Sequence, residues 1–207
     1  MSTVPEITPA AFLSTRTHGL LQAACLGERH ARRTYLTAAC RMEDAHLHVI
    51  AHAFRFTAAQ EKEHADIFQG LSIAHGGEIL LPAEDAPILL PHEPLTLLRA
   101  VAQAEHNEGD GLYYDNARIA EEEGYPRIAE TFRRIAETEQ VHALRFLQYA
   151  KALAEGRLFR DDKRVSWVCL PCGQLHAGQE APQNCSGCGR DRGHFIRSSY
   201  YPFALEG

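Results

Sequence analysis

The chain has 207 residues, 45% of them apolar and 23% charged, enough for one medium helical domain with a core plus a small second module. A formal net charge of −6 with no basic cluster argues against nucleic acid and anionic membrane as partners. No stretch has the length of a membrane span, and residues 1–13 lack a basic start and a continuous apolar run, so a cytoplasmic protein is expected.

Residues 9–154 read as helices. Thr8 is placed to cap the first, with Pro9 in its first turn, and this helix is expected to run to about Met42. Asp44 is placed to cap a second, which Gly76 and Gly77 end. Pro82, Pro87 and Pro91 mark 77–93 as a long crossover loop. Pro94 opens a third helix that stops at Gly124, and Pro126 starts a fourth that ends near Gly156. Two short connections and one long middle crossover predict a mainly α fold, a ferritin-like four-helix bundle over 1–156. Residues 157–166 are charged and read as a linker, and 167–207 read as a small metal-dependent module with too few apolar residues for a conventional core.

Apolar residues recur at steps of three and four along each helix, which places them on one face. In the second helix the stripe is Ile50, Phe54, Thr57, Glu61, His64, Phe68 and Leu71; in the fourth it is Ile128, Phe132, Ile135, Glu139, His142, Phe146 and Tyr149. The first carries Leu21, Glu28, Tyr35 and Met42, and the third Leu98, Val101, Glu105, Glu108, Leu112 and Ile119. Each stripe is apolar except at its centre.

Those centres form a pattern. Glu61/His64 and Glu139/His142 are two Glu-x-x-His pairs, and each follows an inward Glu, Glu28 or Glu105, by a helix length. Two hairpins of the same design thus donate Glu plus Glu-x-x-His, the ligand set of a carboxylate-bridged di-iron or di-manganese site. Glu108 adds a fifth carboxylate one turn from Glu105. Carboxylates converging in an apolar core repel one another and lose hydration, and two cations remove both problems. One Glu-x-x-His alone is usually a solvated pair; two matched copies are a site. Tyr35 and Tyr113 lie on the same faces, where a phenol orients a ligand carboxylate. Gly109 and Gly111 are costly inside a helix and loosen the turn that carries Glu108 or permit close packing there.

Cys169-Leu170-Pro171-Cys172-Gly173 and Cys185-Ser186-Gly187-Cys188-Gly189 are two C-x-x-C knuckles, together a tetrahedral four-thiolate site for iron or zinc. Pairing with a redox bundle favours iron. Cys25 and Cys40 read as buried fillers, His106 as outward-facing, and His46, His48 and His52 as a solvated run at the start of the second helix, with an incidental metal site as the alternative.

Over nearly its whole length the sequence resembles a rubrerythrin. The resemblance is carried by Gly27-Glu28, Ala31-Arg32 and Tyr35; by Gln60 to Ala65; by Ala104-Glu105 through Glu108 with Tyr113; by Glu122 to Tyr125; and by Glu139 to His142, Trp167 to Cys188 and His194-Phe195. It implies that Glu61 and Glu139 bridge two irons. Glu28 would be a terminal ligand of the first, Glu105 and His142 terminal ligands of the second, and Glu108 and His64 alternative ligands of the first. It further implies a peroxidase that reduces hydrogen peroxide to water, fed by a rubredoxin-like iron centre. That centre would draw electrons from an NAD(P)H-dependent rubredoxin-type reductase or a rubredoxin, in a homodimer or higher homo-oligomer. The competing readings are a ferroxidase or iron-handling protein of ferritin type, and a protein whose cysteine module is a zinc clip.

Overall fold

The computed structural model describes residues 9–82 and 87–200. Within them the chain forms α1 (Pro9–Leu13), α2 (Arg16–Asp44), α3 (His48–Ala74), α4 (Pro94–Asn107), α5 (Tyr113–Glu122) and α6 (Pro126–Ala154). A π-helical turn, Glu108–Leu112, joins α4 to α5, so the two act as one long bent helix. An antiparallel sheet of order β2-β1-β3 follows, from β1 (Arg160–Cys169), β2 (Leu175–Glu180) and β3 (Phe195–Arg197). No helix among the described residues is long and apolar enough to cross a membrane.

The predicted stripes are the core. Leu21, Glu28, Tyr35 and Met42 of α2 are all buried, as are Ile50 to Phe68 of the α3 stripe and Ile128 to Phe146 of the α6 stripe. Phe54 stacks on Phe146 at 4.6 Å and Phe68 packs on Phe132 at 5.0 Å, so α3 and α6 run antiparallel with a phenylalanine pair at each end of the shared seam. The apolar interior falls into two clusters. One contains Tyr35, Met42, Ile50, Phe54, Leu98 and Phe146, the other Leu21, Phe68, Tyr113, Ile128 and Phe132. The polar centres of the stripes lie between them.

Three expectations about the helices change, and a fourth is not tested. The Thr8 cap lies outside the described residues. The first helix breaks at Ser14 and Thr15, whose hydroxyls donate back to Ala11 O and Phe12 O at 2.8 and 2.7 Å; extended Thr15 then caps α2 by accepting from His18 N. Asp44 is the last residue of α2 rather than a cap, because apolar Leu47 takes that position and packs into the core instead. The third helix is not continuous: the π turn inserts one residue, so Leu112 is 51% exposed and Tyr113 takes the inward place.

The segment read as a linker is mostly strand. β1 starts at Arg160, which pairs with Glu180, and Asp161 is bound by Arg197 at 2.8 Å. Alternation along β1 then serves two cores. Trp167 and Cys169 point into a small interior with Ala181, Cys185 and Phe195, and Trp167 Nε1 donates to Gly178 O at 3.1 Å. Val168 and its cross-strand partner Ile196 point the other way and join the bundle cluster beside Val49 and Ile50. The module is seated on the end of its own bundle where α3 begins.

Glu123, just after α5, reaches across to the start of α2. Its carboxylate accepts from Arg16 N and Thr17 N at 3.1 and 2.8 Å and from the Thr17 hydroxyl at 2.6 Å. It satisfies amides that a helix start leaves open and sits at the positive end of the helix dipole. Glu123→Ala should therefore cost about 1–2 kcal/mol. Thermal unfolding should show a midpoint several degrees lower, with bound iron unchanged because Glu123 touches none of the central carboxylates.

Candidate metal centres

Four helices bring one polar side chain or pair each to the same level. Glu28 comes from α2, Glu61 and His64 from α3, Glu105 from α4, and Glu139 and His142 from α6. All six are buried. Their donor atoms form two overlapping groups in which every atom lies within 4.8 Å of the others: Glu28, Glu61, His64 and Glu139; and Glu61, Glu105, Glu139 and His142. Glu61 and Glu139 belong to both. The two oxygens of Glu61 divide between the groups, Oε2 at 3.2 Å from His64 Nδ1 and Oε1 at 3.1 Å from His142 Nδ1. Glu139 does the same, Oε1 at 2.9 Å from His64 Nδ1 and Oε2 at 2.7 Å from His142 Nδ1.

A pair of metal ions fits this pocket. Glu28 Oε2, both oxygens of Glu61 and Glu139, and Nδ1 of His64 and His142 are buried without a hydrogen-bond partner. They stand close together, yet none is aligned as a hydrogen bond. Donors that aim at shared cations look like this; unpaired polar atoms left in a core would be costly. Four carboxylates also match the charge of two divalent ions.

The outer contacts fix the donors. Tyr35 donates to Glu105 Oε1, and Tyr113 donates to Glu28 Oε1 at 2.5 Å, leaving the other oxygen of each for the pocket. Burial, followed by the neighbouring carboxylates, pushes both phenols far above their ordinary range, so they stay protonated donors. Gln60 was not singled out from sequence, although it directly precedes Glu61. Its Oε1 lies 3.1 Å from His142 Nε2, which assigns the ring proton to Nε2 and leaves Nδ1 for metal. Arg145 holds Gln60 in place, donating to Gln60 Oε1 at 3.3 Å and to the Thr57 hydroxyl at 2.7 Å.

Glu108 stands apart. It opens the π turn, is only partly buried, and belongs to neither donor group. Burial, with the charges of Glu139 and Glu61, lifts its carboxyl to about 7. The π turn leans on α6: a Cβ on Gly109 would lie 2.8 Å from Ala136 O and Gln140 N, and Gln140 Nε2 donates to Gly109 O at 3.0 Å. Close packing is thus the reason for Gly109, whereas Gly111 has open space. Cys25 is buried as expected, Cys40 is exposed and not a core filler, and His106 faces outward.

The second centre lies in the module. Cys169 ends β1; Cys172, Cys185 and Cys188 sit on the two knuckles, and all four sulfurs lie within 4.8 Å of one another. Cys169–Cys188 and Cys172–Cys185 are each 3.6 Å apart. A tetrahedron of metal–sulfur bonds of about 2.3 Å separates sulfurs by about 3.8 Å, whereas a disulfide needs about 2.05 Å. Gly173 and Gly189 adopt φ of +73° and +76° after each second cysteine, returning their amides to Cys169 O and Cys185 O at 2.8 Å.

Without metal, protons take the place of the cations. Burial opposes charge on His64 and His142, but the carboxylates around them raise the rings to about 9 and about 11. Burial raises Glu105 to about 8. For Glu139 burial is outweighed by His142 and His64, which hold it down to about 2. Groups raised in the folded state stabilise it at low pH and lose that contribution as pH climbs through the folded value. Chelated protein should therefore lose stability as pH rises above about 4.5, through Glu105 and Glu108, and more steeply across pH 6.5 to about 9, where His64 adds its own loss. Glu139 adds a loss only in strong acid. Metal-loaded protein, whose ligands are already deprotonated, should have a flat profile there. Melting curves of both forms across this range are the check; parallel profiles would contradict the proton-for-metal exchange.

Comparison with known proteins agrees with this geometry. The Rubrerythrin family model matches residues 19–87 and 96–168, and the rubredoxin-like domain of rubrerythrin matches 167–196. The chain is 38% identical to rubrerythrin of Clostridium perfringens and 35% identical to that of Nitratidesulfovibrio vulgaris, each alignment covering 87% of this chain and 93% of the relative. Fully reduced, all-ferrous nigerythrin superposes with a TM-score of 0.60 at 26% identity, over 95% of this chain and all of the other. Bacterioferritin of Desulfovibrio desulfuricans, at 20% identity, shares the bundle fold over 69% of this chain and 82% of its own, with a TM-score of 0.64. The carboxylate–histidine pocket fits the family's di-iron pair and the four cysteines its rubredoxin-like iron, and the chain belongs to the rubrerythrin family.

Proposed function

We propose that this protein reduces hydrogen peroxide to water in oxidative-stress defence, with the bundle as reaction site and the four-cysteine iron as its electron entry. The observation that carries this is the presence, in one chain, of a two-metal carboxylate pocket and a one-electron tetrathiolate module. Each peroxide takes up two electrons and two protons and yields two waters. When bound, the ferrous pair supplies those two electrons and the Lewis acidity that weakens the O–O bond.

In this reading Glu61 and Glu139 would be shared by the two ions, Glu28 and His64 would help hold one, and Glu105 and His142 the other. Tyr35, Tyr113 and Gln60 hold ligand orientation. Glu108 is the adjustable group. Four carboxylates would balance two ferrous ions, and two ferric ions would carry two more positive charges, which a fifth carboxylate close by would suit. Ferric iron is also the harder ion and favours carboxylate over imidazole, which agrees with the exchange of Glu108 for His64 that the family resemblance implies. In the ferrous state the same carboxyl can carry a proton at its oxygen.

Electron delivery is proposed to cross between subunits. The module packs where α3 begins, and Glu61 lies thirteen residues along that helix, about 20 Å away. Its own pocket is remote. Val141, Leu144 and Leu147 form an exposed apolar stripe on α6, directly over the level of Glu139 and His142. In a head-to-tail homodimer the partner's module covers that stripe and sits beside the pocket. The source of electrons is an NAD(P)H-dependent rubredoxin-type reductase or a rubredoxin.

Anaerobic, iron-loaded protein should oxidise once and quickly with stoichiometric peroxide, and turn over repeatedly when a rubredoxin-type reductase and NAD(P)H are present. Rapid oxidation by dioxygen with accumulation of a ferric core, and no peroxide turnover, would instead mark a ferritin-type iron handler. The crossed path has its own test. Glu139→Ala removes a bridging donor and Cys172→Ser disables the module, so each variant alone should be inactive. A mixed dimer pairs one intact pocket with one intact module and should recover part of the turnover. Mixed dimers that carry metal at the intact sites and remain inactive would rule out the trans route.

A further inference from the structure

The turn between α2 and α3 and residues 191–194 just before β3 meet where the module sits on the bundle, and none of these residues is a ligand of the two centres above. Asp191 is the hub. Its Oδ1 accepts from Gly193 N at 2.9 Å and lies 3.2 Å from His194 Nδ1. Its Oδ2 faces the bundle, 3.2 Å from His46 Nδ1 and 3.6 Å from His48 Nε2. These three donor atoms lie within 4.8 Å of one another.

Three donors converge where one hydrogen-bonded pair would need two, and their spacing suits a shared cation. Metal bonds of about 2.0–2.2 Å in a tetrahedron separate donors by about 3.3–3.5 Å. An N–H···O bond is typically about 2.9 Å. The observed 3.2 and 3.6 Å bracket the first separation; the shorter contact is also a hydrogen bond at the long end of the range, whereas the longer one to His48 is too long to be one. The donors are also held in place. His48 stacks on His194 with ring centroids 3.7 Å apart, which fixes its plane. Among the described residues His46 is the one non-glycine at positive φ, 55°, an uncommon conformation that turns its ring toward Asp191. A Cβ on Gly193 would fall 1.9 Å from His46 O, so the two backbones meet there with no side chain between them. His46 is 77% exposed, so an ion has access from solvent.

The geometry points to a third metal site: His46, His48 and Asp191 take one borderline divalent transition ion of the zinc class, with water completing the shell. Two imidazoles and a carboxylate suit such an ion and suit magnesium or calcium poorly. Two donors belong to the bundle and one to the module, so the ion staples the module in its docked position.

The test uses full-length, iron-loaded protein dialysed against buffered micromolar zinc, with zinc and iron both measured so that displaced iron is subtracted. One zinc per chain beyond any iron lost is expected. His46→Asn, which tolerates the positive φ, and Asp191→Asn should each weaken that binding about tenfold or more, with iron content and circular dichroism unchanged. Zinc should also slow amide exchange in residues 44–48 and 191–196 of the unsubstituted protein but not of the variants. If Asp191→Asn loosens the module by itself, His46→Asn on its exposed turn carries the comparison. No excess zinc, or excess zinc bound equally well by the His46 variant, would overturn the site; binding without slower exchange would overturn the staple.

Discussion

Four carboxylates share one buried pocket, and most of the architecture answers to that fact. An unpaired buried ion costs several kcal/mol even after the protein relaxes, and a folded domain has only about 5–15 kcal/mol in hand. Glu28, Glu61, Glu105 and Glu139 could not all stay ionised there without counter-charge. Cations provide it, and in their absence the raised His64, His142 and Glu105 hold protons instead. Metal binding and folding are therefore linked: whatever fills the pocket stabilises the bundle.

The remainder of the bundle keeps this pocket dry and its donors aimed. Paired phenylalanines close the α3–α6 seam above and below, Phe54 with Phe146 and Phe68 with Phe132. Tyr35 and Tyr113 each take up one oxygen of a carboxylate, so the second has a single direction left. Gln60 does the equivalent for the His142 ring. Rigidity is relaxed at the π turn, where Glu108 begins a segment with one residue too many for an α-helix. The proposed exchange of Glu108 for His64 would need backbone that is not locked into a regular ladder, and a π turn supplies it.

The sequence made the pocket legible because its signal is an exception to a regular pattern: polar residues interrupting apolar stripes at matched places in two hairpins. Glu28, Glu61, His64, Glu105, Glu139 and His142 all meet as that pattern implies. Leu112 did not follow, since an α period places it inward while the π turn advances the register and buries Tyr113. A trace of this was visible, because Tyr113 stands five residues after Glu108, the π spacing. Gln60 left no such trace; a glutamine beside a ligand reads as surface until the partner helix is placed. The Asp44 cap was misread, and the break at Ser14 and Thr15 was missed although their hydroxyls bond only three residues back. Glu123 caps α2 from more than a hundred residues away in sequence, which local propensity cannot see. The supposed linker deceived through composition: Arg160 to Arg164 are charged because that part of β1 is largely solvent-exposed, not because it is unstructured.

That strand also decides how the two halves relate. A flexible tether would let the module search for its own pocket, and the charged linker read from sequence would have allowed it. β1 instead begins four residues after Gly156 and turns Val168, with Ile196 beside it, into the bundle's own apolar cluster. Removing those side chains from water contributes roughly 1.5–3 kcal/mol each, enough to disfavour an undocked module strongly. A module so seated cannot swing about 20 Å along α3 toward Glu61. Docking thus excludes the intramolecular route that a loose linker would have permitted. The exposed Val141, Leu144 and Leu147 stripe over the pocket is where the proposed second copy would bring electrons in.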